Sequence, residues 1–214
     1  MSLPNILPMS QIVYSVSLLV AFTSLAHAGK YNKTLSIGDV APDWKDLEGT
    51  DGQKHSLADF KDKEVVVLAF TCNSCPYATD HEQRLSALHK RFTEDGKGVV
   101  IAINPNQVKE DQLPAMKTRA ETRGLKYLYL HDPTQQVAKS YGPLNTPEFV
   151  VLNRDRKVVY LGAMDDSPEL KKPVTKKYVE DAIAAALAGK TPEVTETPSI
   201  GCLVRYAKDR RKRD

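Results

Sequence analysis

Six consecutive apolar residues, Val65-Val66-Val67-Leu68-Ala69-Phe70, constrain this chain more than any other feature. A strand with one wet face alternates apolar with polar residues. An unbroken run of this length reads instead as a strand covered on both faces, which requires helices above and below the sheet. A second such run, Val99 to Ile103, is closed by Asn104-Pro105-Asn106, and Leu125 to Leu130 reads as a third strand. The segments between them have helical spacing. From Cys75 to about Glu94, Tyr77, His81, Leu85, Leu88 and Phe92 recur every three or four residues. Gln112 to Thr122 is a polar-rich helix ending at Gly124, and Thr134 to Tyr141 is a short one closed by Gly142.

Phe149 to Leu152 and Val158 to Leu161 are β-rich and are joined by Asn153-Arg154-Asp155-Arg156, which is hairpin spacing. A last helix is expected over Thr175 to Ala188, with Gly189 just past its end. Residues 37–60 read as an irregular entry segment and 191–214 as a tail. The order β-α-β-α-β-α-β-β-α predicts an α/β fold with a mixed, mainly parallel sheet and helices on both faces.

Charge and cysteine usage narrow the class. The net charge of +3 comes from 30 basic and 27 acidic residues, and residues 205–214 alone hold six basic and two acidic ones. The rest of the chain is close to neutral, so nothing points to a nucleic-acid partner. Ile12 to Phe22 is mostly apolar, too short for a comfortable membrane span, and leads to the small-x-small triplet Ala26-His27-Ala28. Residues 1–28 are therefore expected to be an export signal cleaved after Ala28. The mature chain would have no membrane span and would reside in the periplasm or outside the cell, where disulfides persist. The absence of Lys or Arg before Ile12 leaves an uncleaved anchor as the competing reading.

Two of the three cysteines form one C-x-x-C, Thr71-Cys72-Asn73-Ser74-Cys75-Pro76, where the first buried strand hands over to the long helix. Free N–H groups and the helix dipole stabilise a thiolate there. Two intervening residues let one sulfur reach the other, so a substrate disulfide can be attacked and the mixed disulfide then released. Pro76 costs nothing in a first helical turn, whose N–H would be unpaired anyway. No second C-x-x-C exists, and His55, His81, His89 and His131 form no spaced ligand pair, so no metal and no cofactor are expected.

At this point the chain resembles the thioredoxin-like superfamily, and within it the peroxiredoxin-like redoxins of AhpC/TSA type that carry a C-x-x-C. The resemblance rests on F-T-C-N-S-C-P-Y, A-I-N-P-N, Y-L-H-D-P-T-Q-Q-V-A-K-S-Y-G, N-T-P-E-F-V-V-L, V-V-Y-L-G-A-M-D-D-S and T-P-S-I-G-C. It implies a thioredoxin-like domain over residues 36–190, followed by a C-terminal extension with a basic end. It also implies that Thr146-Pro147 is a cis pair facing the cysteines and serves as the substrate platform. Two departures matter. Peroxiredoxins carry P-x-x-x-T-x-x-C; with Cys75 in the last position, Leu68 and Cys72 stand where Pro and Thr belong. Thioredoxins carry a buried Asp six residues before the first Cys, where this chain has Val66, so the general base is unassigned; Asp80 and His81 are the nearby candidates.

The resemblance implies an exported thiol–disulfide oxidoreductase, with Cys72 as attacking thiolate at the exposed lip and Cys75 as shielded resolving thiol. Its partners would be protein or small-molecule thiols and disulfides and an electron donor or acceptor. The alternatives are a thiol peroxidase, with Cys75 peroxidatic and Cys72 resolving, and a copper-binding, metallochaperone-like protein using both thiolates. Cys202 is a resolving partner, an intermolecular bridge or an inert thiol, and is expected to be dispensable for the pair. Asp165-Asp166 reads as a loop cap rather than a cation site, and Asn32-Lys33-Thr34 has the form of a glycosylation sequon. Expression with the native N-terminus in a secreting host should yield a protein starting at Gly29. N-terminal sequencing that returns Met1 or Ser2 on the exported protein would favour the anchor.

Overall fold

The computed structural model describes residues 29–94, 96–169 and 172–207. The expected export signal and the run Arg210 to Arg213 lie outside the described residues. In chain order the elements are β1 (Leu47–Gly49), β2 (Lys54–His55), β3 (Val65–Phe70), α1 (Pro76–Glu94), β4 (Gly98–Asn104), α2 (Leu113–Arg123) and β5 (Leu128–His131). They continue with α3 (Gln136–Tyr141), β6 (Asn145–Thr146), β7 (Glu148–Leu152), β8 (Val158–Gly162), α4 (Tyr178–Leu187) and β9 (Cys202–Leu203).

The main sheet runs β2-β1-β5-β4-β3-β7-β8, while β6 and β9 form a separate two-stranded ladder. All six residues of β3 are buried, and their alternation sorts them to two faces. Val66, Leu68 and Phe70 join Val137 and Tyr141 of α3 and the entry-segment residues Trp44 and Leu57. Val65, Val67 and Ala69 join Leu85 and Leu88 of α1, Met116 of α2 and Val179 and Ile183 of α4. Each large side chain so covered contributes about 1.5–3 kcal/mol. The apolar run thus takes the position its composition demands, with helices on both sides.

Four expectations are corrected. The sheet is mixed but not mainly parallel: only β3–β4 and β4–β5 are parallel, and β7 returns antiparallel beside β3. A parallel return needs a long crossover, whereas α3 and the short β6 bring the chain back from the opposite direction. The entry segment is not wholly irregular. β1 and β2 form a hairpin that pairs with the β5 edge, held by backbone bonds across a turn in which Gly49 N donates to Gln53 O at 2.8 Å. Strands of two and three residues are too short to show a period. Along α1 the buried stripe includes Ala78 and Glu82, while Tyr77 and Phe92 are only partly buried. The Glu82 carboxylate is accommodated by Arg119 and Arg123 of α2.

The last difference bears on the site. The stretch expected to be a tail is docked along residues 195–206. Leu161 N donates to Thr195 O, Thr197 N to Leu161 O and Val204 N to Leu144 O, each at 3.0 Å, and β9 pairs antiparallel with β6. The segment lacks side-chain periodicity because its backbone, not an apolar face, fixes it. Among the described residues no helix is long and apolar enough to cross a membrane.

The docked segment presses on Gly162, whose φ is +136°; a Cβ there would lie 2.3 Å from Thr197 O and 2.4 Å from its Oγ1. Gly189, the residue after α4's cap, has φ +66° but open space around it. Gly162→Ala should therefore cost about 4 kcal/mol, from backbone strain plus overlap, and Gly189→Ala only about 1–2 kcal/mol. Urea midpoints of the two variants give the comparison. Equal losses would mean that Thr197 does not press on Gly162.

Candidate active site

Past Phe70 the β3 ladder persists for one more residue, Thr71 N donating to Ile103 O at 2.9 Å. The chain then leaves the sheet through Cys72, Asn73 and Ser74. Cys75 O accepts the first helical bond, from Thr79 N at 3.0 Å, and Pro76 opens α1. Both sulfurs therefore sit at the positive end of a 19-residue helix. Cys72 is 3% exposed and Cys75 1%, so neither occupies an exposed lip.

The two residues between the cysteines are pinned from below. Asp111, in the 3-10 turn Lys109–Asp111, is wholly buried. Its carboxylate accepts Asn73 N–H, Ser74 N–H and the Ser74 hydroxyl at 2.6 Å, together with the Asn104 and Asn106 side-chain amides, each at 3.2 Å. Asn73 is further held by Tyr129 Oη–H donating to its Oδ1 at 2.9 Å and by its own amide donating to Glu110 O at 2.7 Å. Asp111 escapes a sequence reading because it is 36 residues from Cys75 and looks like an ordinary residue ahead of a helix. The one trace is Asn104-Pro105-Asn106, whose two amides bind it.

The opposite wall is the turn before β7. The Thr146–Pro147 bond is cis. Thr146 Oγ1 lies 3.2 Å from Cys72 Sγ, and Cys75 Sγ lies 3.0 Å from Thr146 O, the acceptor for its proton when the thiol is protonated. The edge of β6 is not open: Thr146 pairs with Cys202 and Asn145 with Leu203. Cys202 N donates to Cys75 Sγ at 3.4 Å, and Cys202, partly exposed, packs against the pair. The third thiol thus belongs to the same cluster.

Hydrogen bonding separates the sulfurs. The Cys75 thiol is pulled down to about 5, first by the hydrogen bond from Cys72. Burial opposes this, while the Cys202 thiol and the backbone N–H groups of Ala78 and Cys202 assist. Cys72 is pushed up, first because it keeps the proton shared with Cys75, then by burial, with the Asp111 charge adding to both. Cys202 is raised to about 11 by burial and by donating to Cys75.

The other sequence candidates lie away from the sulfurs. Asp80 is exposed on α1. His81 is buried and held down to about 4 by burial and by Arg84; its Nδ1 donates to Tyr77 O at 2.7 Å and its Nε2 faces Arg84. It stays neutral and contacts neither cysteine. Asp165 pairs with Arg84 and accepts Ser167 N, and Asp166 accepts Thr175 N, Thr175 Oγ1–H and Lys176 N, which is loop capping. The Asn32 amide is buried and engaged with Tyr141 O, Thr34 N and Leu35 N, so the folded chain offers no acceptor for a glycan there. Among the described residues, no three or more His, Cys, Asp or Glu side chains group so as to hold a metal ion.

With the geometry in hand, comparison with known proteins is informative. Residues 37–161 match the AhpC/TSA family. The chain is 33% identical over 78 residues to "Putative peroxiredoxin bcp" of Helicobacter pylori (strain ATCC 700392 / 26695), covering 36% of this chain and 50% of that one. It therefore spans about half the length of this curated relative. The crystal structure of a hypothetical protein, SMc02350, from Sinorhizobium meliloti 1021 superposes with a TM-score of 0.76 at 32% identity, over 83% of this chain and 98% of the other. A protein named "putative Thiol:disulfide interchange protein DsbE" from Chlorobium tepidum gives 0.57 at 25% identity, over 72% and 99%. The fold is thioredoxin-like α/β.

Titration of the reduced protein tests the assignment of charge. Because the Cys75 pKa is depressed, the thiolate is present above that value and is lost as the pH falls through it. Thiolate absorbance should rise with a midpoint near pH 5, well separated from Cys202 near 11. Cys75→Ala should abolish the low transition, whereas Cys72→Ala should move it up by removing the donor. A low transition that survives in Cys75→Ala would place the charge on Cys72.

Proposed function

The chain belongs to the AhpC/TSA family, and we propose that its activity is thiol–disulfide oxidoreduction through the Cys72–Cys75 pair, with Thr146–Pro147 as the wall of the site. The observation that carries this reading is the pair itself: two buried cysteines packed together at a helix N-terminus, both against Thr146, with Cys72 Sγ 3.2 Å from its Oγ1 and Cys75 Sγ 3.0 Å from its carbonyl oxygen. A thiolate so held opens a substrate disulfide, forming a mixed disulfide and releasing one substrate thiol. The second sulfur then attacks its neighbour, closing Cys72–Cys75 and releasing the other substrate thiol. In reverse, a dithiol reduces the pair. The direction follows the pair's potential against its surroundings. Export through residues 1–28 would place this chemistry in an oxidising compartment.

One observation favours a second reading, thiol peroxidase: the sulfur with the depressed pKa is Cys75, the residue that aligns as peroxidatic. Cleaving a peroxide bond also needs a donor to the leaving oxygen. The Thr146 hydroxyl lies on Cys72 instead, and Leu68, at the motif's proline position, is buried in β3. Disulfide exchange makes no such demand.

The two readings separate in a paired assay. Cys72→Ser and Cys75→Ser should each lower turnover of a disulfide substrate by at least about 100-fold, since one sulfur cannot complete a two-electron cycle. Peptide mass mapping of the oxidised protein should show the Cys72–Cys75 link. Fast hydrogen peroxide consumption by Cys72→Ser, with sulfenic acid mapped to Cys75, would assign the peroxidase instead.

A further inference from the structure

We propose that Cys202 is a third catalytic thiol, a relay that carries disulfide exchange between the buried Cys72–Cys75 pair and an external thiol. The inference rests on the reading of the pair as redox-active and adds to it the route by which electrons reach it.

The need for a route comes from burial. Cys72 and Cys75 are 3% and 1% exposed, and β9 occupies the β6 edge on which an extended substrate would otherwise pair. The segment that closes the site supplies a sulfur of its own. Cys202 stands opposite Thr146 in the ladder, where a paired substrate strand would present a cysteine, and its N–H reaches Cys75 Sγ at 3.4 Å. This register is fixed by more than one bond. Ser199 Oγ donates to Glu148 at 2.6 Å, Asn145 Nδ2 to Ser199 O at 3.1 Å, and Gln135 Nε2 to Arg205 O at 3.1 Å. Gly201 is required beside Thr146, because a Cβ would lie 2.0 Å from its carbonyl oxygen.

The outer side of Cys202 faces a groove of about 470 Å³ between β9 and the loop after β4. Val108 and Leu203, both exposed, give it an apolar lining, and Gln107 and Arg205 supply polar groups. This is the size of a small-ligand site. Of the three thiols, Cys202 is the one that is partly exposed while packing against the other two.

The exchange balances as follows. In the oxidised protein the Cys202 thiol gives up its proton and attacks Cys75 Sγ. The Cys75–Cys202 bond forms, the Cys72–Cys75 bond breaks, and Cys72 leaves as a thiolate that takes up a proton. No net oxidation occurs in this step. An external thiolate then attacks Cys202 Sγ from the groove, releasing Cys75 as the stabilised thiolate. A second external thiol attacks the mixed disulfide, freeing Cys202 and an external disulfide. Two external thiols are oxidised and the pair is reduced.

The test uses the full chain with glutathione as the external thiol and has two arms. In the first, oxidised Cys72→Ser is mapped by peptide mass spectrometry, with a Cys75–Cys202 link expected. Free Cys75 beside a Cys202–Cys202 dimer would overturn the relay. In the second, oxidised Cys202→Ser should still carry the Cys72–Cys75 link, but glutathione should reduce it at least about tenfold more slowly than the wild-type protein. Equal rates would sink the relay while leaving the pair's redox role intact. Failure of both proteins to form the Cys72–Cys75 link would sink the redox reading itself.

Discussion

One buried carboxylate holds the Cys72–Cys75 loop to the rest of the molecule. Asp111 receives five donors, three from the residues between the cysteines and two from Asn104 at the end of β4 and Asn106 just past it. A buried charge is tolerable only when its lone pairs are filled in this way. The three donors from the Cys72–Cys75 turn find their acceptor in this carboxylate, so loop and carboxylate hold each other in place. The turn's geometry, and with it the meeting of the two sulfurs, follows from those bonds. The same charge acts on Cys72 through space and adds to the asymmetry between the thiols.

Much of the frame was legible in the sequence because its signals are local. The run Val65 to Phe70 could only be a doubly covered strand, and the C-x-x-C with Pro76 marks a strand-to-helix transition whatever surrounds it. Gly124, Gly142 and Gly189 close helices with left-handed backbone, φ +61°, +71° and +66°, where expected. What the sequence concealed depends on contacts between distant residues. The β1–β2 hairpin is too short to have a period. The antiparallel return of β7 is set by how α3 and β6 bring the chain back. Asp111 and the docking of residues 195–206 rest on hydrogen bonds to segments dozens of residues away, and no spacing rule reaches them. Helix α1 is instructive in a smaller way. Glu82 breaks the apolar stripe because Arg119 and Arg123 of another helix cover it, a compensation invisible from α1 alone.

The family match over residues 37–161 spans both the sheet and the Cys72–Cys75 turn, and paired cysteines suit exchange between sulfurs. The Thr146 hydroxyl lies beside Cys72, while the backbone donors of Ala78 and Cys202 gather on Cys75. Burial of both sulfurs keeps water from competing for those bonds, which is why donors of modest strength separate the thiols so far.

The β6–β9 ladder also has a consequence for the order of synthesis. Residues 195–207 are made after every element they close. Until they emerge, a nascent chain can complete its sheet and helices with the Asn145–Thr146 edge unpaired and the two sulfurs uncovered. An unpaired edge is a template for any passing strand, and uncovered thiols are open to premature oxidation. A chain at that stage keeps the Asn145–Thr146 edge open until residues 195–207 dock on it. Slow release of that end would lengthen its exposure without changing a single native contact.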